Sequence, residues 1–318
     1  MTEFDRTAWI WKDGGFVRWE DATLHVMSHV VHYGSSVFEG IRCYDTPRGP
    51  AIFRLPEHIR RLLDSARVYR MPLRHDAASL MAACCELIAR NGIEEGYIRP
   101  VVLRGAGTLG LNPLPAAVET YIACVRWPTY LGENALEAGV DVCVSSWTRP
   151  APNTFPTLAK AGGNYLNSQL MKVEAVLNGF ADAIALGPDG LVSEGSGHNV
   201  FVVRDRVLLT PPANGTLLCG ITRDTVMVIA RELGIEVRET AIPRERLYSA
   251  DELFLTGTAS ELTPIRSVDR LTVGDGTAGP ITRLLQRNLL GIARGALPDR
   301  HGWRTYVRRA DAALRESA

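Results

Sequence analysis

Ser193-Glu194-Gly195-Ser196-Gly197-His198-Asn199-Val200-Phe201 leads on to Leu208-x-Thr210 and Leu218-x-Gly220-Ile221-x-Arg223, and this stretch decides how the chain is read. Glu194 reads as a carboxylate at the end of a strand, followed by small residues. Such a group can reach a buried cationic ring nitrogen and keep it protonated. By itself the segment is described at least as well as a glutamate at a tight turn, with Gly195 and Gly197 supplying unusual backbone angles. Farther on, Leu218-Cys219-Gly220-Ile221-Thr222-Arg223-Asp224 reads as a glycine loop opening directly into an amphipathic helix. Exposed backbone N–H groups and the Thr222 hydroxyl there can cradle a phosphate. Alternatively, Thr222 is a plain cap at an ordinary helix start.

Upstream lies Thr157-Leu158-Ala159-Lys160-Ala161-Gly162-Gly163-Asn164-Tyr165, which holds one of only three lysines in 318 residues, with Lys12 and Lys172. Arginine carries nearly all the other positive charge, and arginine cannot supply a titratable amine for a Schiff base. A GC-rich genome would also thin out lysine, and a solvated loop lysine is the usual fate of any one. Leu255-Thr256-Gly257-Thr258-Ala259-Ser260-Glu261 places small and hydroxylated residues after a strand, as an anion site or a plain turn would. In Tyr97-Ile98-Arg99-Pro100, Tyr97 and Arg99 project to the same face of a strand and can bind a carboxylate in an apolar pocket. The competing expectation is a surface-facing edge strand, which Pro100 favours.

Composition narrows the class. Formal net charge is zero, which points to no nucleic-acid or acidic-membrane partner. No stretch approaches the roughly 20 apolar residues of a membrane span, and Met1-Thr2-Glu3-Phe4-Asp5-Arg6 has no signal-peptide core. A cytoplasmic protein is the expectation. The six cysteines, Cys43, Cys84, Cys85, Cys124, Cys143 and Cys219, form no C-x-x-C pair. They read as small buried apolar residues rather than staples or a zinc site, and no metal is expected.

The hydrophobic pattern predicts a hairpin from Trp9-Ile10-Trp11-Lys12 and Phe16-Val17-Arg18-Trp19 about Asp13-Gly14-Gly15. Helices are expected over Glu57 to Arg70, Leu80 to Asn91, Asn164 to Asn178, Ile221 to Leu233 and Pro280 to Ala293. Strands are expected at Tyr97 to Leu103, Thr120 to Val125, Val140 to Ser146, Glu236 to Thr240 and Leu253 to Thr256. A meander is expected through Ala183 to Leu186, Leu191 to Glu194, Asn199 to Val203 and Val207 to Thr210. Strands neighbouring strands favour α+β over a doubly wound fold. The expected division is a small N-terminal α+β domain over 1–130, a linker at 131–137, and a larger C-terminal α+β domain over 138–318 carrying Lys160.

Each motif is ordinary alone, but a candidate Schiff-base lysine, a later carboxylate and a Gly-Ile-Thr loop recur together in one family. The chain resembles the class IV (fold type IV) pyridoxal 5'-phosphate (PLP) aminotransferases. Within them it looks most like the branched-chain-amino-acid aminotransferases, from about Trp9 to Trp303. Further landmarks are His32-Tyr33-Gly34-Ser35-Ser36-Val37-Phe38-Glu39-Gly40-Ile41-Arg42, His58-Ile59-Arg60-Arg61-Leu62, Ser145-Ser146-Trp147 and Gly257-Thr258-Ala259.

The resemblance implies a two-domain D-amino-acid-aminotransferase-like fold with the cofactor at the domain interface. The implied reaction exchanges amino groups between L-leucine, L-isoleucine or L-valine and 2-oxoglutarate, giving branched-chain 2-oxo acids and L-glutamate, within branched-chain amino-acid biosynthesis. Lys160 would form the internal aldimine and shuttle the proton. Glu194 would pair with the pyridine nitrogen and Tyr165 with the phenolic oxygen. Arg61, the backbone of Ile221, Thr222 and Thr258 would hold the phosphate. Thr258 and Ala259 would receive the substrate α-carboxylate. Phe38, Gly40, Tyr130 and Trp127 would line the side-chain pocket, with Tyr97 and Arg99 at its edge for the glutamate γ-carboxylate. Tyr33 and Leu111 would reach in from a neighbouring subunit, making the enzyme a homo-oligomer, at least a dimer and up to a hexamer. The alternatives within the fold are a D-amino-acid aminotransferase and an aminodeoxychorismate lyase. Outside it, a non-enzymatic scaffold would be expected to lose Lys160 or Glu194.

Overall fold

The computed structural model describes residues 5–127, 131 and 134–308. They fall into two compact units, one within Met1–Pro128, Ala159–Gly163 and Gly291–Ala318, the other within Thr129–Leu158 and Asn164–Leu290. Each combines helices with one extended sheet, as an α+β reading expects.

The first unit is built on an eight-stranded sheet. Trp9–Lys12 and Gly15–Arg18 form its edge hairpin, with Asp13 and Gly14 at positive φ in the turn. Trp9–Lys12 pairs with Val118–Val125, and that strand with Gly96–Arg104. Gly96–Arg104 is paired on its other side by two short strands in a common register, Ser36–Phe38 and Ile41–Tyr44. It is therefore an interior strand, and the edge reading that Pro100 favoured is overturned. Proline is tolerated because Glu39 N still donates to Pro100 O at 2.9 Å, while the bond Pro100 cannot return falls at the break between the two short strands.

One face of this sheet buries Val37, Ile41, Ile98, Val102 and Ile122 beneath two helices, Leu55–Val68 and Ala77–Arg90. The first helix starts two residues earlier than its apolar spacing suggests, because Pro56 suits the first turn and Arg54 precedes it at φ 57°. The second is capped by Asp76, which accepts from Ser79 N at 2.8 Å. Fully buried Arg104 donates to the carbonyls of Tyr69 and Arg70, just past the end of the first helix, and to Pro113 O.

The second unit holds a nine-stranded sheet. Val140–Val144 lies parallel to Asp182–Leu186, with helix Tyr165–Leu177 between them in sequence; Val207–Thr210 lies parallel to Val237–Glu239, with helix Ile221–Glu232 between. These are the helical crossovers that parallel pairs require. The expected meander breaks after Glu194: Val192–Gly195 pairs with Asp182–Leu186, whereas Asn199–Arg204 pairs with Glu252–Gly257. A strand the sequence hides, Glu261–Val268, joins Glu252–Gly257 to Val140–Val144. Pro264 disguises it, and the parallel ladder to Val140 begins one residue later, at Ile265.

The observed units depart from a plain division after residue 130. Residues 159–163 join the first unit because Ala161 bridges Val37, and the C-terminal segment joins it because Arg304–Tyr306 pairs with Ala51–Phe53. Lys160 thus belongs with the N-terminal sheet. Of the expected linker, Gly132 and Glu133 lie outside the described residues, and Ala135–Ala138 is a short helix. All six cysteines are free; Cys43, Cys84, Cys124 and Cys143 are buried as expected, but Cys85 is half-buried and Cys219 exposed. Among the described residues no helix is long and apolar enough to cross a membrane.

Candidate active site

In the first unit, strand alternation sends Tyr97 and Arg99 to the face opposite the helices. Phe38 stands across from Val101 on that same face. The Arg99 guanidinium lies 5.0 Å from the Phe38 ring centroid and 5.3 Å from that of Tyr97, and Trp127 meets Tyr97 edge-on at 4.8 Å. Gly40 is required here, since a Cβ would come within 1.7 Å of Tyr97 Oη. Arg99 Nε is buried without a hydrogen-bond partner, and among the described residues no carboxylate pairs with this side chain.

Lys160 reaches the same wall, with Nζ 4.9 Å from the Phe38 centroid. Its backbone is pinned at both ends: its N–H donates to Ser65 Oγ at 3.0 Å, and its carbonyl accepts from Phe38 N at 3.0 Å. The small residues after it are needed for this approach, because a Cβ at Gly162 would lie 2.4 Å from Ser36 Oγ.

Two residues given no role at the sequence level sit beneath this wall. Glu39 is fully buried and receives Arg61 through Nε at 2.6 Å and Nη2 at 2.9 Å, and His58 Nδ1 at 2.7 Å. Burial alone would raise its pKa, but Arg61 and His58 outweigh burial and hold it far below the usual carboxylate range. Burial lowers His58, so the neutral imidazole donates Nδ1–H to the carboxylate. Their spacing held a signal: His58 and Arg61 lie three apart on one helix, beside the buried Ile59 and Leu62.

Tyr33 and Leu111, 46% and 82% exposed, belong to one patch. Tyr33 Oη donates to Leu109 O at 2.8 Å, and His29 Nε2 lies 3.2 Å from Gly110 O. Tyr130 lies outside the described residues.

In the second unit, Glu194 is the penultimate residue of strand Val192–Gly195 and is buried. Its Oε1 pairs with Arg149 Nη2 at 2.8 Å, while Oε2 accepts from Leu218 N at 3.1 Å and Asn199 Nδ2 at 3.4 Å. Arg149 was not singled out by sequence, and Asn199 stood in the signature stretch without a role. Asn199 also donates to Leu218 O at 2.9 Å, tying the carboxylate to the glycine loop. A Cβ on Gly220 would strike Asn199 Oδ1 at 2.0 Å, which fixes glycine there. Gly220 is the N-cap of helix Ile221–Glu232 and contributes no side-chain cap, so Ile221 and Thr222 open the helix with N–H groups that have no intrahelical partner. Thr258 and Ala259 are half-buried in the loop between Glu252–Gly257 and Glu261–Val268, and Tyr165 is the first residue of its helix. Among the described residues no cluster of metal-binding side chains occurs.

The family model for amino-transferase class IV matches residues 36–268. A branched-chain-amino-acid aminotransferase from Salmonella typhimurium is 52% identical over 296 residues, covering 93% of this chain and 96% of its own. The crystal structure of the Escherichia coli branched-chain amino acid aminotransferase superposes with a TM-score of 0.94 at 50% identity, over 95% of this chain and 100% of the other. The T.th. branched-chain amino acid aminotransferase complexed with N-(5'-phosphopyridoxyl)-L-glutamate gives 0.91 at 45% identity, over 96% and 100%. With the family's span matched and near-complete coverage at half identity, the chain belongs to the class IV aminotransferases, which are PLP-dependent enzymes.

Proposed function

We propose that this chain transfers the amino group of L-leucine, L-isoleucine or L-valine to 2-oxoglutarate. The observation that carries the reading is the pair of cations over one ring: Lys160 and Arg99 both face Phe38, on a wall completed by Tyr97 and Trp127. An aliphatic side chain fits such a wall. A glutamate γ-carboxylate meets a guanidinium that no carboxylate among the described residues neutralises.

The donor set fits PLP. When bound, the cofactor supplies an aldehyde for amino-group exchange and a ring that holds electron density. Lys160 offers an amine, Glu194 an anion for the ring nitrogen, and Tyr165 a phenol for the phenolic oxygen. The open N–H groups at Ile221 and Thr222, the Thr258 hydroxyl and Arg61 suit a phosphate. Glu39 would aim Arg61 by fixing two of its nitrogens. Arg149 keeps a counter-charge on Glu194 Oε1. Lys160 Nζ would carry the substrate Cα proton. The Thr258 and Ala259 N–H groups would receive the α-carboxylate, and Phe38, Gly40, Tyr97, Trp127 and Tyr130 the side chain.

The same reading makes the enzyme a homo-oligomer. Tyr33, Leu109 and Leu111 form an exposed apolar patch, and helix Tyr165–Leu177 exposes Leu166, Leu170, Val173 and Leu177 at helical spacing. Such surfaces mark assembly contacts. Free thiols throughout fit the reducing cytoplasm. The test is the visible absorbance of PLP-loaded protein mixed with L-leucine or D-alanine. Loss of the cofactor band with L-leucine only, reversed by 2-oxoglutarate, is expected. Loss with D-alanine instead would move the assignment to D-specific chemistry, and no response to either would favour the lyase.

A further inference from the structure

Asp182, His198 and Ser260 form a buried polar chain within the second unit that none of these roles uses. Asp182 is fully buried; Oδ1 accepts from Ala183 N at 2.7 Å, and Oδ2 lies 3.0 Å from His198 Nε2 and 3.5 Å from Lys172 Nζ. Burial would raise this carboxyl, but hydrogen bonding and charge from His198, with Lys172 beyond, hold it well below the usual range. The carboxylate holds the ring at Nε2, which turns Nδ1 toward Ser260. Ser260 Oγ stands within hydrogen-bond distance of Nδ1, at 2.9 Å. The order resembles a hydrolytic triad, but Ser260 is 3% exposed and His198 4%, so this is a strut rather than a nucleophile.

The strut joins two loops. His198 closes the turn that follows Glu194, where Gly195 N donates to His198 O at 2.7 Å. Ser260 is the last residue of the three-residue loop Thr258-Ala259-Ser260, between paired Gly257 and Glu261, with Glu261 at φ 55°. Thr263 Oγ1 donates to Ser260 O at 2.7 Å. A Cβ on Gly257 would lie 3.0 Å from Ser260 Oγ and 3.2 Å from His198 Nδ1, so the loop closes directly on the imidazole.

We propose that His198 is a positioning residue: through Ser260 it fixes the Thr258–Ala259 backbone that receives the substrate α-carboxylate, and ties that loop to the turn bearing Glu194. This rests on the aminotransferase reading above. Every substrate carries an α-carboxylate, so the effect falls on binding of all of them and not on choice of side chain.

The test uses PLP-loaded wild type, His198→Ala, Ser260→Ala and the double variant. Binding of 4-methylpentanoate, a leucine-shaped carboxylate without an amino group, is titrated through the cofactor absorbance, and kcat and KM are measured for L-leucine and L-glutamate. Each single variant is expected to weaken 4-methylpentanoate about tenfold, the worth of one hydrogen bond. KM should rise alike for both amino acids, with kcat within about threefold. The double variant should be no worse than the weaker single, because both changes cut one strut. Multiplying losses, an unchanged affinity, or a loss confined to one amino acid overturns the proposal. If His198→Ala does not fold, Ser260→Ala against Ser260→Thr decides: the hydroxyl-bearing variant must keep the affinity that the alanine loses. A wild type that transaminates neither L-leucine nor L-glutamate defeats the underlying reading instead.

Discussion

Replacing Arg99 by alanine separates the two substrates this site must share. The guanidinium does two things in the structure. It stacks over Phe38 and Tyr97 at 5.0 and 5.3 Å, and it keeps Nε buried without a partner, so its hydrogen-bonding capacity is not spent on a neighbouring carboxylate. Losing the stacking costs about 0.5–1 kcal/mol and loosens the wall for every substrate, a common loss of roughly two- to fivefold. Losing the charged donor costs about 1.5–3 kcal/mol only where a γ-carboxylate is bound, because that group then faces an aromatic wall unpaired. In kcat/KM this is roughly another 10- to 150-fold for L-glutamate and nothing for L-leucine. The assay is the single-turnover decay of the cofactor band with each amino acid, read as a rate against concentration. Arg99→Lys, which keeps charge but loses the planar fork, should fall between wild type and alanine with glutamate. Equal losses for leucine and glutamate would refute the reasoning, since they would leave Arg99 a purely structural role.

Glu39→Gln should lower stability by about 3 kcal/mol in urea unfolding, because it strips the buried pair with Arg61 of its anion. Glu39 titrates below its ordinary 4.5 in the fold, so the unfolded chain takes up the proton first; its contribution is complete above about pH 4.5 and erodes as pH falls, and the glutamine variant should show a shallower acid slope. Gly40→Ala should displace Tyr97, whose Oη a Cβ would meet at 1.7 Å, costing about 1–3 kcal/mol and raising KM for L-leucine; an unchanged KM would mean that Tyr97 does not shape the pocket. At pH 8 a thiol reagent should label exposed Cys219 first and leave Cys124 and Cys143 unlabelled, since burial pushes those thiols up to about 12 and about 11; early labelling of Cys124 would contradict its burial.

What the sequence made legible follows from the range of the forces involved. The hairpin at 9–18 and the helices at 55–68, 77–90, 165–177 and 221–232 are set by local turn chemistry and apolar period, and those could be read. Pairing between distant strands could not. Val192–Gly195 and Asn199–Arg204 are three residues apart in sequence yet bond to different partners, and only the placed strand Glu252–Gly257 explains why. At the site, Lys160 stands out because lysine is scarce in this chain, and Glu194 and Gly220 because they recur with such a lysine in one family's signature. Glu39 and His58 do not, because a carboxylate becomes unusual only once a helix has buried it, and burial is a property of the assembled layers. Arg149 was equally hidden among the chain's many arginines until Glu194 was seen beside it.

The segment 36–44, two short strands and the break between them, shows how one alternating pattern serves both stability and chemistry. Val37 and Ile41 point into the core with Ile59 and Leu62, and Phe38 and Gly40 point to the opposite face, where Lys160 and Tyr97 are. By the same alternation Glu39 must point inward, where a bare carboxylate would be prohibitive. It is tolerated because the helix covering that face brings His58 and Arg61 to it. The consequence is mechanical. Arg61, the candidate phosphate ligand, is clamped to the residue between Phe38 and Gly40, so the aromatic wall and the cationic anchor cannot shift independently. A change at Glu39 or at Arg61 should therefore disturb PLP affinity and the leucine pocket together, whereas a change at Phe38 should disturb the pocket alone.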